Sequence, residues 1–403
     1  MSLTSALLSS DPFTEDFGGL TEVVLSTAAA LAATAVERDR AGGTALAERK
    51  LLRDSGLLTL AIPPALGGQG ASWPLIFRIL RRLAEADSSL AHLFGFQHLQ
   101  VASVLLFASP EQQARLLGAT VRERWFWGNA VNARDTRLVA TRTPDGLVLN
   151  GTKGFCSGAS DSDVLNISVS LGPEPTDRLF AVIPTSRAGV HVHGDWDNMG
   201  QRQTDSGNVS FDKVQIAADE VLGPPGVASS PHATLRNLIG QVVLTEIYLG
   251  NAVGALRAAV DFTREQTQPW PMAGVERAQD DRMLQLRAGE LWASLQAAIA
   301  LSDQTHAAFQ QAWDLGAALT AEQRATLAIR IASARTQAAR VSLHLTAQIF
   351  ELVGARATAS RHGLDRFWRN VRVHTLHDPL DYRHQGIGAW LLAGEVPNPY
   401  GYG

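Results

Sequence analysis

Residues 364–379 read LDRFWRNVRVHTLHDP and gather the side chains best able to do chemistry. Arg366, Arg369 and Arg372 recur every third residue, His374 and His377 keep the same step, and Asp378 and Pro379 close the run. On a helix, a step of three keeps groups on adjoining parts of one face. The segment therefore offers a row of cations leading to two imidazoles, ended where a proline disfavours further helix. Such a row could hold an anionic cofactor beside a titratable site. Arg369 and Arg372 are the candidates for a phosphate, because guanidinium presents a planar fork to its oxygens. A solvated cationic face and a satisfied helix-end histidine would give the same pattern. His374, His377 and Asp378 could also be read as metal ligands. No third ligand with recognisable spacing accompanies the two histidines, and the preceding arginines oppose a cation. His191 and His193 alternate in a strand pattern and lie on one face, which reads as an exposed strand.

The elements that must position these groups change character twice. From about residue 13 to 124 the pattern is helical: 21–47 is alanine-rich with interspersed charge, and 73–86 has apolar residues at helical spacing. Pro63-Pro64 and Gly67-Gly68 mark a loop between helices. From about 125 to 219, short β-branched or alternating runs (138–142, 147–150, 164–171, 179–183, 189–193 and 208–216) are separated by turn residues. Pro144-Asp145-Gly146 between two such runs signals a hairpin. Strands so short and closely spaced imply a small antiparallel barrel or sandwich. From about 234 the pattern is helical again, with long amphipathic stretches at 234–268, 274–316 and 320–353 that predict a four-helix bundle. The fold class is mainly α with a central β-domain, divided at 1–124, 125–233 and 234–403.

The chain has 403 residues, 45% hydrophobic and 18% charged, with net charge −4. A mildly acidic balance supplies no general field for nucleic acid or an anionic membrane, so any anion site must be local. The single cysteine, Cys156, excludes an internal disulfide and fits a reducing compartment. The N-terminal residues lack the cationic start of a signal peptide. No apolar run of roughly 18 residues is free of proline, glycine and charge, so no membrane span is expected. These features read as a cytoplasmic protein.

The three-part order, with the motifs IPPALGGQG (62–70), LNGTKGFCSG (149–158), GQRQTDSG (200–207) and LDRFWRNVR (364–372), resembles the acyl-CoA dehydrogenase superfamily over nearly the whole chain. Three departures stand out. Where those dehydrogenases commonly carry a catalytic glutamate past the arginine helix, this chain has Leu376-His377-Asp378. Their loop contacting flavin and thioester is replaced by GNAVNARDT (128–136). Their glycine-rich adenine turn survives only as ELVGA (351–355). Removal of an α-proton needs a base near the flavin; Glu246, in LTEIYLG, is the upstream residue that could replace it.

The sequence is more similar to the flavin-dependent monooxygenase branch, particularly dibenzothiophene monooxygenase and related sulfur-acquisition enzymes. The shared features are HLFGF (92–96), FCSG (155–158), DWDNMGQRQTDSG (195–207) and TLHDP (375–379). That resemblance implies reduced FMN delivered by a separate NAD(P)H flavin reductase, a small or aromatic, possibly organosulfur, substrate, and a homotetramer. FAD belongs to the alternative, an acyl-CoA dehydrogenase with a relocated base. In the monooxygenase reading, oxygen is activated as a flavin C4a-hydroperoxide, which the protein must shield from water and supply with a proton or hydrogen bonds. The roles implied are His377 and, opposite it, His92 as catalytic imidazoles, with Ser157 as hydroxyl donor at the flavin edge. Asn129 would bond a flavin carbonyl or the oxygen adduct, and Trp196 would border the flavin or pocket. Phe96 stands where dibenzothiophene monooxygenase has tyrosine, which bears on the substrate. Arg264 is present near the start of the third region, but Gln266 stands where a cofactor-reaching arginine is usual.

Overall fold

In the computed structural model, residues 12–399 are described, apart from 145, 173, 175, 176 and 225. The first third is helical: α1 Thr21–Ala33, α2 Ala35–Ala41, α3 Leu46–Asp54, α4 Trp73–Ala86, α5 Ser88–Phe107 and α6 Pro110–Glu123. The break between α4 and α5 is made by Asp87. Its backbone is extended, and its carboxylate accepts from the amides of Ser89 and Leu90, satisfying donors that the first turn of a helix leaves open. Ser109 and Gln112 form a reciprocal cap on α6, with Pro110 at the position where a missing N–H costs nothing.

The last third comprises α7 Leu235–Glu265, α8 Arg282–Leu315, α9 Ala321–Gln348, the short α10 Phe350–Val353, α11 Asp365–Thr375 and α12 Leu380–Ala393. Helix α7 is the common axis. Its first half packs with α4 and α5 into one core, and its second half packs with α8, α9 and α11 into another. Close approach of α4 requires glycine on α7: a Cβ at Gly250 would lie 2.4 Å from the Arg81 carbonyl, and one at Gly254 2.3 Å from that of Glu85. By length and composition α5 and α7 are apolar enough to cross a membrane, contrary to the sequence expectation. Gly95 does not interrupt α5, and the few charges on α7 are spread over 31 residues. Both helices are instead buried in the protein, over 83% and 94% of their most apolar windows.

Between the helical parts lie two sheets. One has the order β1-β4-β5 (Trp127–Ala130, Val164–Ser170, Arg178–Pro184), and the other β2-β3-β7-β6 (Val139–Thr143, Gly146–Lys153, Val209–Ala217, Val190–Val192). The expected hairpin joins β2 to β3, pairing Thr143 with Gly146; Asp145 lies outside the described residues. The expectation of wholly antiparallel pairing needs correction, because β1 runs parallel to β4 with Asn129 opposite Asn166. The chain builds the β2-β3 hairpin in the other sheet before returning, and so long a crossover permits parallel pairing. The 200–207 segment then runs back to the helices: a Cβ at Gly200 would meet the Arg369 carbonyl of α11 at 2.4 Å.

Candidate active site

Helix α5 supplies a stripe. His92, Phe96, Gln100 and Ser103, spaced four, four and three apart, fall on one face. At its start, His92 Nε2 lies 3.0 Å from Ser157 Oγ in the loop after β3. Ser157 Oγ is 2.8 Å from Ser206 Oγ, which donates to Thr204 Oγ1 at 2.8 Å. The His92 ring stacks with Phe96 at 4.0 Å between centroids and with His374 at 4.9 Å. Burial and the nearby His377 push the His92 pKa down to about 3. Burial first, then the positive fields of His92, His377 and Arg335, hold His374 well below the usual histidine range. At neutral pH both imidazoles are therefore uncharged, and His92 Nε2 opens onto a chain of hydroxyls.

The loop holding Ser157 is fixed from both sides. Asn129 N donates to the Ser157 carbonyl at 3.0 Å, Cys156 N to Gly207 O at 3.0 Å and Gly158 N to Thr204 O at 2.9 Å. Phe155 has φ +58° and is 61% exposed, an unusual state for a large apolar side chain. Its ring meets Trp196 edge-on at 6.0 Å. The two rings wall a cleft of about 550 Å³ that also reaches Asn132, Arg134, Ser206 and Asn208. A planar aromatic cofactor fits such a slot, with rings on its wall and amide and hydroxyl groups at its edge. Gln201 secures the loop beneath: its amide N donates to Asn370 Oδ1 at 2.7 Å and its Nε2 to Ser88 Oγ at 2.8 Å.

Below the cleft, Asp378 is a buried hub. Arg335 donates to both its oxygens, at 2.6 and 2.7 Å, and Arg383 Nε donates at 2.8 Å. His377 Nδ1 lies 3.0 Å from Asp378 Oδ1. Burial opposes ionisation of Asp378, but His377, Arg335 and Arg383 outweigh it and hold the carboxyl well below the usual range. The Tyr248 hydroxyl donates to the His374 carbonyl at 3.0 Å, tying the end of α11 to α7.

The structure brings His92 against both Phe96 and Ser157, with Asn129 on the neighbouring strand and Trp196 on the cleft wall. His377 does not stack against His92; its side chain is 40% exposed and turned to Asp378. The imidazole against His92 is His374, three residues earlier and on the inner face of α11. The arginine row is not an open anion ladder. Arg369 is paired with Asp39 and Asp365 and donates to Met199 O, Arg366 lies over the Phe367 ring, and Arg372, among the described residues, has one long contact, with Thr375 at 3.5 Å. Glu246 lies away from the imidazoles, paired with Arg81 and bonded to Ser302 and His306 inside the bundle. Burial alone would raise its pKa, yet Arg81 and His306 hold it in the charged form. Among the described residues, no group of three or more metal-ligating side chains converges. Sequence reasoning missed Gln100, Ser206 and Arg335; the helical stride from His92 and Phe96 was the available signal for Gln100.

The chain matches the acyl-CoA dehydrogenase family in all three of its parts: the N-terminal domain over residues 20–124, the middle domain over 128–214 and the C-terminal domain over 242–382. It belongs to the acyl-CoA dehydrogenase superfamily, in the flavin-dependent monooxygenase branch, and is a flavin-dependent oxidoreductase. It is 44% identical to a probable FMNH2-dependent monooxygenase, SfnC, of Pseudomonas putida, over 92% of this chain and 94% of that one. The structure of methanesulfinate monooxygenase MsuC from Pseudomonas fluorescens superposes with a TM-score of 0.91 at 43% identity, covering 95% of this chain and 98% of the other. Dibenzothiophene monooxygenase TdsC from Paenibacillus sp. A11-2 gives 0.89 at 44% identity, over 95% and 99%, and has also been solved with FMN bound.

Proposed function

We propose that this protein is the oxygenase of a two-component system that takes reduced FMN from a separate NAD(P)H flavin reductase and inserts oxygen into an organosulfur substrate. One observation carries the reading: the site holds a buried, uncharged His92–Ser157 pair with His374 stacked on it, while Glu246 is sealed in the bundle by Arg81. A dehydrogenase needs a carboxylate base over the flavin; this site offers imidazole and hydroxyl instead. The relatives named above are FMNH2-dependent, FMN-bound or sulfur-directed. Asn129, Ser157 and Trp196 would hold the flavin ring. When bound, reduced FMN supplies the electrons that activate dioxygen. His92 then acts through Nε2, holding or moving a proton shared with Ser157 Oγ, and the stacked rings exclude water from it. Arg369 is committed within the chain, which leaves Arg372 as the candidate of that row for the phosphate.

A homotetramer is part of the proposal. Tyr382, Trp390, Leu391, Leu392 and Val396 are exposed on and after α12, and such contiguous apolar surface favours association. A cytoplasmic location is likewise part of the proposal; the lone thiol and the need for a flavin reductase support it. The test supplies photoreduced FMN and ¹⁸O₂ to the purified protein with dibenzothiophene, an alkyl sulfone and methanesulfinate. Incorporation of ¹⁸O into one of these is the expected result. Oxidation of an acyl-CoA with an artificial acceptor, and no labelled product, would overturn the proposal.

A further inference from the structure

The amide of Asn129 is held from one side only. Its Oδ1 accepts from Gln100 Nε2 at 3.0 Å, whereas among the described residues its Nδ2 has no partner and is not sealed in the interior. An amide can turn over, exchanging donor for acceptor, unless its partners forbid it. Here the partners form a chain of fixed direction. Gln100 is fully buried, and its Oε1 accepts from Asn166 Nδ2 at 2.7 Å and from Arg236 Nη2 at 3.4 Å. Arg236 is itself set by Ser103 Oγ at 2.6 Å, whose own hydroxyl donates to the Leu99 carbonyl at 3.0 Å. A guanidinium has only donors. Gln100 must therefore turn its oxygen toward Arg236, its NH2 toward Asn129, and Asn129 must turn its oxygen inward. The strand register adds to this: Asn129 and Asn166 are direct partners on parallel β1 and β4, so both amides reach the same residue of α5.

We infer that Gln100, backed by Arg236 and Asn166, is a positioning residue that keeps Asn129 turned as a hydrogen-bond donor toward the flavin. The inference rests on the flavin reading above for what Asn129 faces, but not for how Asn129 is turned. Gln100→Glu inverts the logic. Its carboxylate accepts from Arg236, from Asn166 and now from Asn129 Nδ2, so the Asn129 oxygen turns outward against acceptors of the flavin edge.

The experiment measures FMN dissociation constants by fluorescence titration for the parent, Gln100→Glu, Gln100→Met and each of these combined with Asn129→Ala. Replacing a matched donor by an opposed acceptor should weaken binding by about tenfold or more in Gln100→Glu. In Gln100→Met the amide is merely released, and the loss should be a few-fold. In the Asn129→Ala background both changes should be worth less than about twofold. Parent-like affinity in Gln100→Glu and Gln100→Met, or equal losses with and without Asn129, would overturn the inference. A second readout needs no flavin. In protein labelled with ¹⁵N-asparagine, the Asn129 side-chain NH2 should exchange with solvent in the parent and be protected in Gln100→Glu. Equal protection in both refutes the orientation, even if FMN proves not to be the cofactor. Failure of the parent to bind FMN, with the exchange difference present, refutes only the functional reading.

Discussion

Replacing Asp378 by asparagine tests the hub under the cleft. In the native protein one carboxylate faces two guanidiniums, and Arg335 is fully buried. Asparagine is nearly the same size, so no cavity forms, but the charge goes and an NH2 is turned toward cations. Among the described residues Arg335 would then keep the one remaining amide oxygen, the Gln241 side chain and a long contact with the Tyr248 hydroxyl at 3.5 Å, but no opposite charge. Leaving one partner of a buried ion pair uncompensated costs about 3–5 kcal/mol, and Arg383 adds a second cation with lost compensation. For a cooperative unit of a few hundred residues, about 2–4 °C is lost per kcal/mol. The apparent melting temperature of Asp378→Asn should therefore fall by on the order of 6–20 °C, read by differential scanning calorimetry at pH 7. Adding Arg335→Gln should cost less than the sum of the two single changes, because the stranded charge is then removed. A melting temperature within about 2 °C of the parent would show that Asp378 is not the compensating charge, and the account of the hub would be wrong.

Three further outcomes follow from the same geometry. His92→Ala should cut product formation by at least about 100-fold while FMN affinity moves less than threefold; adding Ser157→Ala should then cost little more, as measured by single-turnover oxygenation. Glu246→Gln should destabilise the bundle but leave oxygenation within about threefold, and loss of turnover in folded Glu246→Gln would restore the carboxylate-base reading. His98 is buried with a pKa lowered to about 3 by burial, against its bond to the Leu57 carbonyl. Its contribution to stability is present above the unfolded value of about 6.5 and is lost as pH falls toward 3, since only the unfolded chain takes the proton. The urea stability of His98→Gln should fall less steeply from pH 6 to 4 than that of the parent, by up to about 1.4 kcal/mol per pH unit.

The order of helical, β and helical parts was legible because apolar periodicity changes from 3.6 to 2 and back, and the long helices lie close to where that pattern put them. Parallel pairing of β1 with β4 was not, because a four-residue strand carries no mark of the direction of its partner. The neighbourhood of His92, Phe96 and Ser157 came from motif resemblance, which identifies residues without their facing. Both His374 and His377 satisfy the step of three, and only the packing of α11 and the turn after it shows that His374 stacks on His92 while His377 turns to Asp378. The pairing of Arg369 was hidden for a related reason. Spacing shows that cations share a face, but Asp39, from the first helical part, takes up Arg369 from more than 300 residues away. The stride from His92 and Phe96 puts Gln100 on the site face of α5, but its role shows only once its partners on two strands and α7 are seen.

The segment around Gln201 hooks onto Ser88 and Asn370, while Gln203 accepts from Arg38 and Arg202 donates to the Asp39 carbonyl. Three consecutive side chains thus fasten the β-region to helices at both ends of the chain. Anyone grafting the middle third of a relative onto this scaffold would have to transplant those anchor points too, since a hybrid lacking them would keep its sheets yet let the loop beneath the cleft swing free.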